Sequence, residues 1–258
     1  MRQIVVIGVD NQPCFLVPLV AAVWLWDRQG WECDVQLYGT PEHPDVRGAE
    51  RALRAAVGYV SHPGFHLPAL SHPESLMLAR RLYARTLALN SDAFVILSDA
   101  DILRLEPLVI PPDHGDRLVC WNRNYWDDTQ WAPRWPSCHQ GGTGKAWLPT
   151  MPIHQSDLDE ARRLIGRCFV DDEILFKVMH AQRRFPLLEV DGSRRRLDRE
   201  LWTVGNTLAG KGDAHTPRDM ATDDGWARCL PLLADVLTGC QIEALDAFRR
   251  EVNRQWTT

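Results

Sequence analysis

The chain has 258 residues, 45% of them hydrophobic and 24% charged, with a formal net charge of −5; that apolar fraction excludes a disordered chain, and the length suits one α/β domain. The acidic balance gives no basic field for a polyanion, so a nucleic-acid partner is disfavoured, a local patch being the one route left to it. Seven cysteines (14, 33, 120, 138, 168, 229 and 240) include no Cys-x-x-Cys pair, which argues against a disulfide framework and a cysteine zinc site and points to buried thiols in a reducing cytoplasm.

The first predicted element is a strand, Gln3 to Asp10, apolar until its end, where Asp10, Asn11 and Gln12 are suited to meeting a nucleoside. Pro13 to Trp26 is almost wholly apolar but too short to span a bilayer, so no transmembrane segment is expected and the stretch reads as a buried helix. Pro13 fits its first turn, and Asp27, Arg28 and Gly30 form its polar exit. Cys33 to Tyr38 is a second strand, completing a β-α-β start with a right-handed crossover. Neither Gly-x-Gly-x-x-Gly nor a Walker loop is present, so a diphosphate must be held in another way, and a metal is the obvious alternative. Residues 41–75 are rich in Pro, Gly and His, with a helical patch near Gly48 to Val57. His62, His66 and His72 have spacings that suit zinc on a helix, but Pro63, Gly64 and Pro68 break one, and an ordinary loop is expected. A helix over Glu74 to Leu89 then carries Arg80, Arg81 and Arg85, which either meet phosphate or acidic groups or line a solvated face.

The strand that follows, Phe94-Val95-Ile96-Leu97, runs into Ser98-Asp99-Ala100-Asp101. An apolar run of this kind reads as a buried parallel strand, whose carboxyl end is where open α/β sheets bind ligands. Residues two apart on an extended chain share a face, so Asp99 and Asp101 can address one cation, and oxygen ligands suit magnesium or manganese. The alternative is a pair of turn residues. Leu82-Tyr83-Ala84-Arg85 with Phe94 to Ile102 resembles the Tyr-x-Arg helix and Asp-x-Asp strand of GT-A glycosyltransferases, most nearly the glycogenin-like and lipopolysaccharide-galactosyltransferase-like group.

The resemblance runs from the first strand through Glu106. It implies a single GT-A domain over 1–258, Rossmann-like, with a mixed, mainly parallel sheet flanked by helices; 1–106 would be the donor-nucleotide half and 107–258 the acceptor half with a metal-binding C-terminal segment. It also implies a nucleotide-sugar donor, a UDP-sugar above all, a Mn2+ or Mg2+ ion, and transfer to the hydroxyl of a carbohydrate or other acceptor, a modified nucleobase included. Asp101 would ligate the metal directly, and Asp99 would meet the ribose or the metal's water. Arg85 and Ala100 would place the donor, and Val9, Asp10 and Asn11 would hold the base.

Trp121, Tyr125, Trp126, Trp131 and Trp135 alternate with Arg123, Asp127, Asp128 and Arg134. Rings on a polar loop are poor core material, so Trp121, Trp126 and Trp131 are candidate acceptor-stacking residues, an apolar cluster beneath a long loop being the other reading. Gly141 to Lys145 is expected to be a flexible turn before a strand at Ala146-Trp147-Leu148. Ser156 caps a helix ending near Gly166. Asp171, Asp172 and Glu173 open another, where first-turn acids suit the macrodipole. The resemblance implies that an acid here faces the acceptor, as general base in an inverting reaction or as a positioning group in a retaining one; Asp172 is the first choice and Glu173 the second. Gly210 to Thr216 resembles the segment that returns a histidine to the metal in such enzymes, implying His215 as third ligand, with Lys211 neutralising the departing diphosphate; a surface-loop histidine is the alternative. A packing helix over Gln241 to Gln255 closes the chain. A sugar nucleotidyltransferase would need a glycine-rich basic loop after the first strand, and a carbohydrate-binding module would leave Asp99 and Asp101 without a role.

Overall fold

The computed structural model describes residues 1–62, 72–121, 138–150, 154–165, 172–183, 185–190, 196–203 and 205–256, with the backbone alone at 72–78, 155, 162, 165, 172–173 and 255–256. Its strands are β1 (Arg2–Val9), β2 (Glu32–Leu37), β3 (Val60–Ser61), β4 (Ala93–Asp99), β5 (Ile102–Arg104), β6 (Leu118–Trp121), β7 (Gln140–Gly142), β8 (Leu187–Val190), β9 (Arg196–Leu197) and β10 (Asp213–His215). Its helices are α1 (Pro13–Arg28), α2 (Pro44–Val57), α3 (His72–Asn90), α4 (Gly144–Trp147), α5 (Gln155–Ile165), α6 (Asp172–Arg183), α7 (Asp223–Leu233) and α8 (Gly239–Trp256). A mixed, mainly parallel sheet has the order β3-β2-β1-β4-β7-β6-β8, and a smaller one the order β5-β10-β9. The antiparallel exception is β7, which sets Gly141 opposite Ile96 on one side and Val119 on the other. Among the described residues no helix is long and apolar enough to cross a membrane, and the six described cysteines are free thiols.

The chain forms two compact units of interleaved segments: Met1–Val6, Pro63–Ser98 and Val109–Ser193 in the first; Ile7–His62, Asp99–Leu108 and Arg194–Thr258 in the second. In the first, Ile4, Val6, Val95, Leu97, Trp147, Ile174, Phe176 and Met179 are among the residues of one continuous core. Strand residues bury both faces because helices cover them, which is why β4 reads as an unbroken apolar run rather than an alternation. The expected turn at Gly141 and Gly142 is instead the strand β7. A Cβ at Gly141 would come within 2.8 Å of the Phe94 ring, and one at Gly142 within 2.6 Å of the Ala146 Cβ, so these glycines serve close packing rather than turning. The expected strand at 146–148 is a short helix, α4, running into a 3-10 turn. Trp147 points inward from it and its indole N–H donates to the Val95 carbonyl at 3.2 Å. An apolar triplet carries too little periodicity to separate the two. Arg81, one of three arginines expected either to meet phosphate or acidic groups or to line a solvated face, is 1% exposed; it donates to Gln140 Oε1 at 2.9 Å and lies 4.8 Å over the Phe176 ring.

In the second unit α1 packs against α2, α8 and β5. Pro13 starts α1 where its missing N–H costs nothing, and Gly30, at φ 81°, ends it with an N–H on the Asp27 carbonyl. The small sheet is fixed by charge as well as by backbone. Asp213, on β10, accepts from Arg196 on β9 at 2.7 and 3.1 Å and lies 4.0 Å from Arg104 on β5.

Candidate active site

At the end of β4 the chain turns through Ala100 and Asp101 and enters β5 at Ile102. β10 runs antiparallel beside β5, with His215 opposite Ile102 and Asp213 opposite Arg104. One residue further on, Thr216 donates twice to the Asp101 carbonyl, from its N–H at 2.9 Å and its hydroxyl at 3.2 Å. The indole N–H of Trp202 donates to the His215 carbonyl at 2.9 Å. Two side chains more than a hundred residues apart in sequence are thereby set on neighbouring, hydrogen-bonded backbones.

The side chains converge. Asp101 is 8% exposed, and its Oδ2 lies 3.4 Å from His215 Nε2. The same oxygen accepts from a terminal guanidinium nitrogen of Arg199 at 2.5 Å. That nitrogen also touches His215 Nε2. Burial pushes the Asp101 carboxyl up, but the hydrogen bond and charge of His215 and the guanidinium charges of Arg199 and Arg218 outweigh it and hold the group below the usual carboxylate range. Arg199 is pulled below its ordinary value, by burial first and then by the like charge of Arg218, against the carboxylates of Asp101 and Asp99. So Asp99, Asp101, Arg199, His215 and Arg218 form one electrostatic neighbourhood.

The amino end of α1 borders the same neighbourhood. Arg218 is exposed, and its guanidinium stacks 4.4 Å over the Phe15 ring. The Cys14 thiol is pushed up mainly by burial and also by Asp10 and Asp101, while Arg218 opposes them. Asp10 accepts from the Gln12 backbone N–H at 3.0 Å and from its side-chain amide at 2.6 Å, a turn that shapes the approach to the helix. The positive end of the α1 dipole, a guanidinium above a ring and a second guanidinium nearby make a setting for phosphate oxygens.

A divalent cation fits the donor set. Ligand atoms at adjacent positions around one magnesium or manganese ion lie about 3 Å apart, close to the 3.4 Å between Asp101 Oδ2 and His215 Nε2. Among the described residues no third His, Cys, Asp or Glu side chain joins them closely enough to complete a cluster. Such ions commonly take one or two protein ligands and fill the rest with water and substrate phosphate.

The other expected site residues are placed as follows. Ala100 is buried in the turn between Asp99 and Asp101. Val9 is buried in β1 and its carbonyl accepts from the Tyr38 N–H at 2.8 Å, while Asn11 is half-buried before α1. Lys211 is half-buried in the turn that leads into β10. Arg85, half-buried on α3, belongs to the first unit, as does Trp121. Trp121 ends strand β6 at 1% exposure with its ring edge-on to Phe94, so its face is core and an acceptor platform would rest on Trp126 and Trp131, which lie outside the described residues. Asp172 and Glu173 open α6 in the first unit; only their backbone is described. Arg199 and Arg218 were missed. The available signals were a basic run, Arg194-Arg195-Arg196, in an acidic chain and an arginine three residues after the candidate histidine.

No protein-family model and no curated protein sequence matches the chain. Solved structures do. The galactosyltransferase LgtC, in complex with donor and acceptor sugar analogues, superposes with a TM-score of 0.51 at 14% identity, covering 92% of this chain and 96% of that one. An active-site mutant of LgtC gives 0.52 with the same identity and coverage. The glycosyltransferase GlyE of Streptococcus pneumoniae TIGR4 gives 0.50 at 12% identity, over 99% of this chain and 63% of that one. The chain has the GT-A fold of these glycosyltransferases.

Proposed function

We propose that the chain is a glycosyltransferase that moves a sugar from a nucleoside diphosphate sugar, a UDP-sugar first among them, to an acceptor hydroxyl, with a Mn2+ or Mg2+ ion held by Asp101 and His215 and with Asp99 meeting the ribose or the metal's water. One observation carries this reading: a buried carboxylate and an imidazole, contributed by distant segments, converge within 3.4 Å at the end of β4, beside two arginines. LgtC, whose fold the chain shares, was solved with donor and acceptor sugar analogues, and a nucleotide-sugar donor suits this site on the same fold. The metal, when bound, offsets the charge that grows on the leaving diphosphate. Arg218 and the first turn of α1 receive phosphate oxygens, and Lys211 adds charge from the turn before β10. Val9, Asp10 and Asn11 bound the base, Ala100 lets the donor pass close to the β4 turn, and Arg85 steadies the donor. On the acceptor side Trp126 and Trp131 stack on the acceptor, and Asp172, with Glu173 second, takes or orients the hydroxyl proton.

The test is a screen of nucleotide sugars for slow donor hydrolysis with Mn2+, beside thermal melts. Wild type should hydrolyse one donor class and be stabilised by Mn2+ plus the matching nucleoside diphosphate by about 2.7 kcal/mol at a hundredfold excess over Kd. Asp101→Asn should lose both. Retention of hydrolysis and of the stabilisation by Asp101→Asn refutes the assignment.

A further inference from the structure

Arg199 stands where a cation would stand. A divalent ion bonded to Asp101 Oδ2 and His215 Nε2 would lie about 2.0–2.3 Å from each. A terminal nitrogen of Arg199 is 2.5 Å from that oxygen and in contact with that ring nitrogen. The ion and the guanidinium would therefore claim one volume, and two positive charges would meet there. Arg199 also has somewhere to go. Its side chain is 24% exposed, it sits on a single 3-10 turn, Arg199–Leu201, and Arg218 beside it is exposed over Phe15.

We propose that Arg199 is a latch on the metal position: in the metal-free protein its guanidinium bridges Asp101 and His215, and it must swing away before a divalent cation can bind. The inference rests on the metal reading above and deepens it. A guanidinium released from a carboxylate needs a new anionic partner, and a diphosphate offers a bidentate one. Metal and nucleoside diphosphate therefore bind cooperatively, because each favours the state with Arg199 turned out, and the coupling is reciprocal. The ion alone binds weakly, since it must break a charge-assisted hydrogen bond to enter. The ion with diphosphate binds tightly. A site built this way discourages retention of the ion between turnovers.

The experiment is Mn2+ binding followed by electron paramagnetic resonance, in which the free ion's signal disappears on binding, with and without UDP and with no sugar transfer required. Arg199→Ala should bind Mn2+ alone about 10- to 100-fold more tightly than wild type, the scale of one charge-assisted hydrogen bond. The tightening of Mn2+ by UDP should shrink by a similar factor in the variant. Arg199→Gln, which keeps the side-chain length without the charge, should behave in the same direction and decides the matter if the alanine variant misfolds by circular dichroism. Arg163→Ala, which removes an exposed arginine paired with Glu160, should leave Mn2+ affinity unchanged and so separates a local effect from net charge. Equal Mn2+ affinity in wild type and both Arg199 variants overturns the latch while leaving the metal site standing. No Mn2+ binding in any of them, with or without UDP, overturns the metal reading and the latch together.

Discussion

Replacing Asp213 by Asn removes the carboxylate that Arg196 and Arg104 both face. Asp213 is 1% exposed, and the side chains of Arg196 and Arg104 are 4% and 0% exposed, so water cannot take over the lost role. The Arg104 pair, at 4.0 Å, is worth about 4 kcal/mol of gross attraction at an effective dielectric of about 20. The Arg196 pair adds two direct hydrogen bonds at 2.7 and 3.1 Å. Asparagine keeps one acceptor oxygen and so recovers part of the hydrogen bonding but none of the charge. It takes away the carboxylate that both buried guanidiniums face, and breaking a buried pair in this way costs about 3–5 kcal/mol. That is a large share of the roughly 5–15 kcal/mol that holds a folded protein together. Urea denaturation followed by tryptophan fluorescence and circular dichroism should show Asp213→Asn losing about that much, with a fall in Tm on the order of 10 °C. Glu160→Gln, which breaks the exposed pair with Arg163, should leave the unfolding midpoint near that of wild type. If the two variants lose the same small amount, the Asp213 cluster is not the electrostatic anchor of the β5-β10-β9 sheet and the reasoning fails.

Three further outcomes follow from other parts of the molecule. Asp101 has a folded pKa held below its unfolded value, so its contribution is present above the unfolded pKa and is lost as pH falls through the folded one; stability of wild type measured below about pH 4 should drop more steeply than that of Asp101→Asn, and parallel acid limbs would contradict this. Gly142→Ala puts a methyl within 2.6 Å of the Ala146 Cβ and should cost about 1–3 kcal/mol in a denaturant titration, with Ala146→Gly restoring part of the loss. Trp126→Ala and Trp131→Ala should weaken use of a saccharide acceptor while leaving donor hydrolysis near wild type, and equal loss of both activities would count against an acceptor platform.

What could be read in the chain was local. The strands β1 and β4 announce themselves because burial on both faces demands continuous apolar residues, α1 because its apolar run has the length of a buried helix between polar ends, and α2, α3 and α8 because their length allows a period to show. Asp101 is visible as an acid at a strand end, and His215 as a histidine among glycines, but only the resemblance to GT-A enzymes linked the two. The basic run before Arg199 does not single it out from the other arginines; its position follows from where β9 and β10 bring the chain, a non-local fact. Gly141 and Gly142 misled for a related reason. A glycine required by a positive φ and one required by a neighbour's closeness look the same in sequence, and only the packing partner, Phe94 or Ala146, tells them apart. The interleaving of the two units is likewise invisible, since no composition shift marks the chain's return from one to the other.

The two hydrogen bonds from Thr216 to the Asp101 carbonyl span 115 residues, and that separation has a consequence for the order in which the protein becomes competent. Closing a flexible loop of this size costs about 4 kcal/mol in chain entropy before any contact offsets it. Asp101 must therefore wait for a partner segment that a ribosome making roughly 5–20 residues per second delivers about 6–23 s later. Until then the growing chain carries an acidic turn with no imidazole beside it, and so only part of the proposed metal site. Arg199 emerges before His215. The strand that completes the smaller sheet is thus the last part of the proposed site to be made.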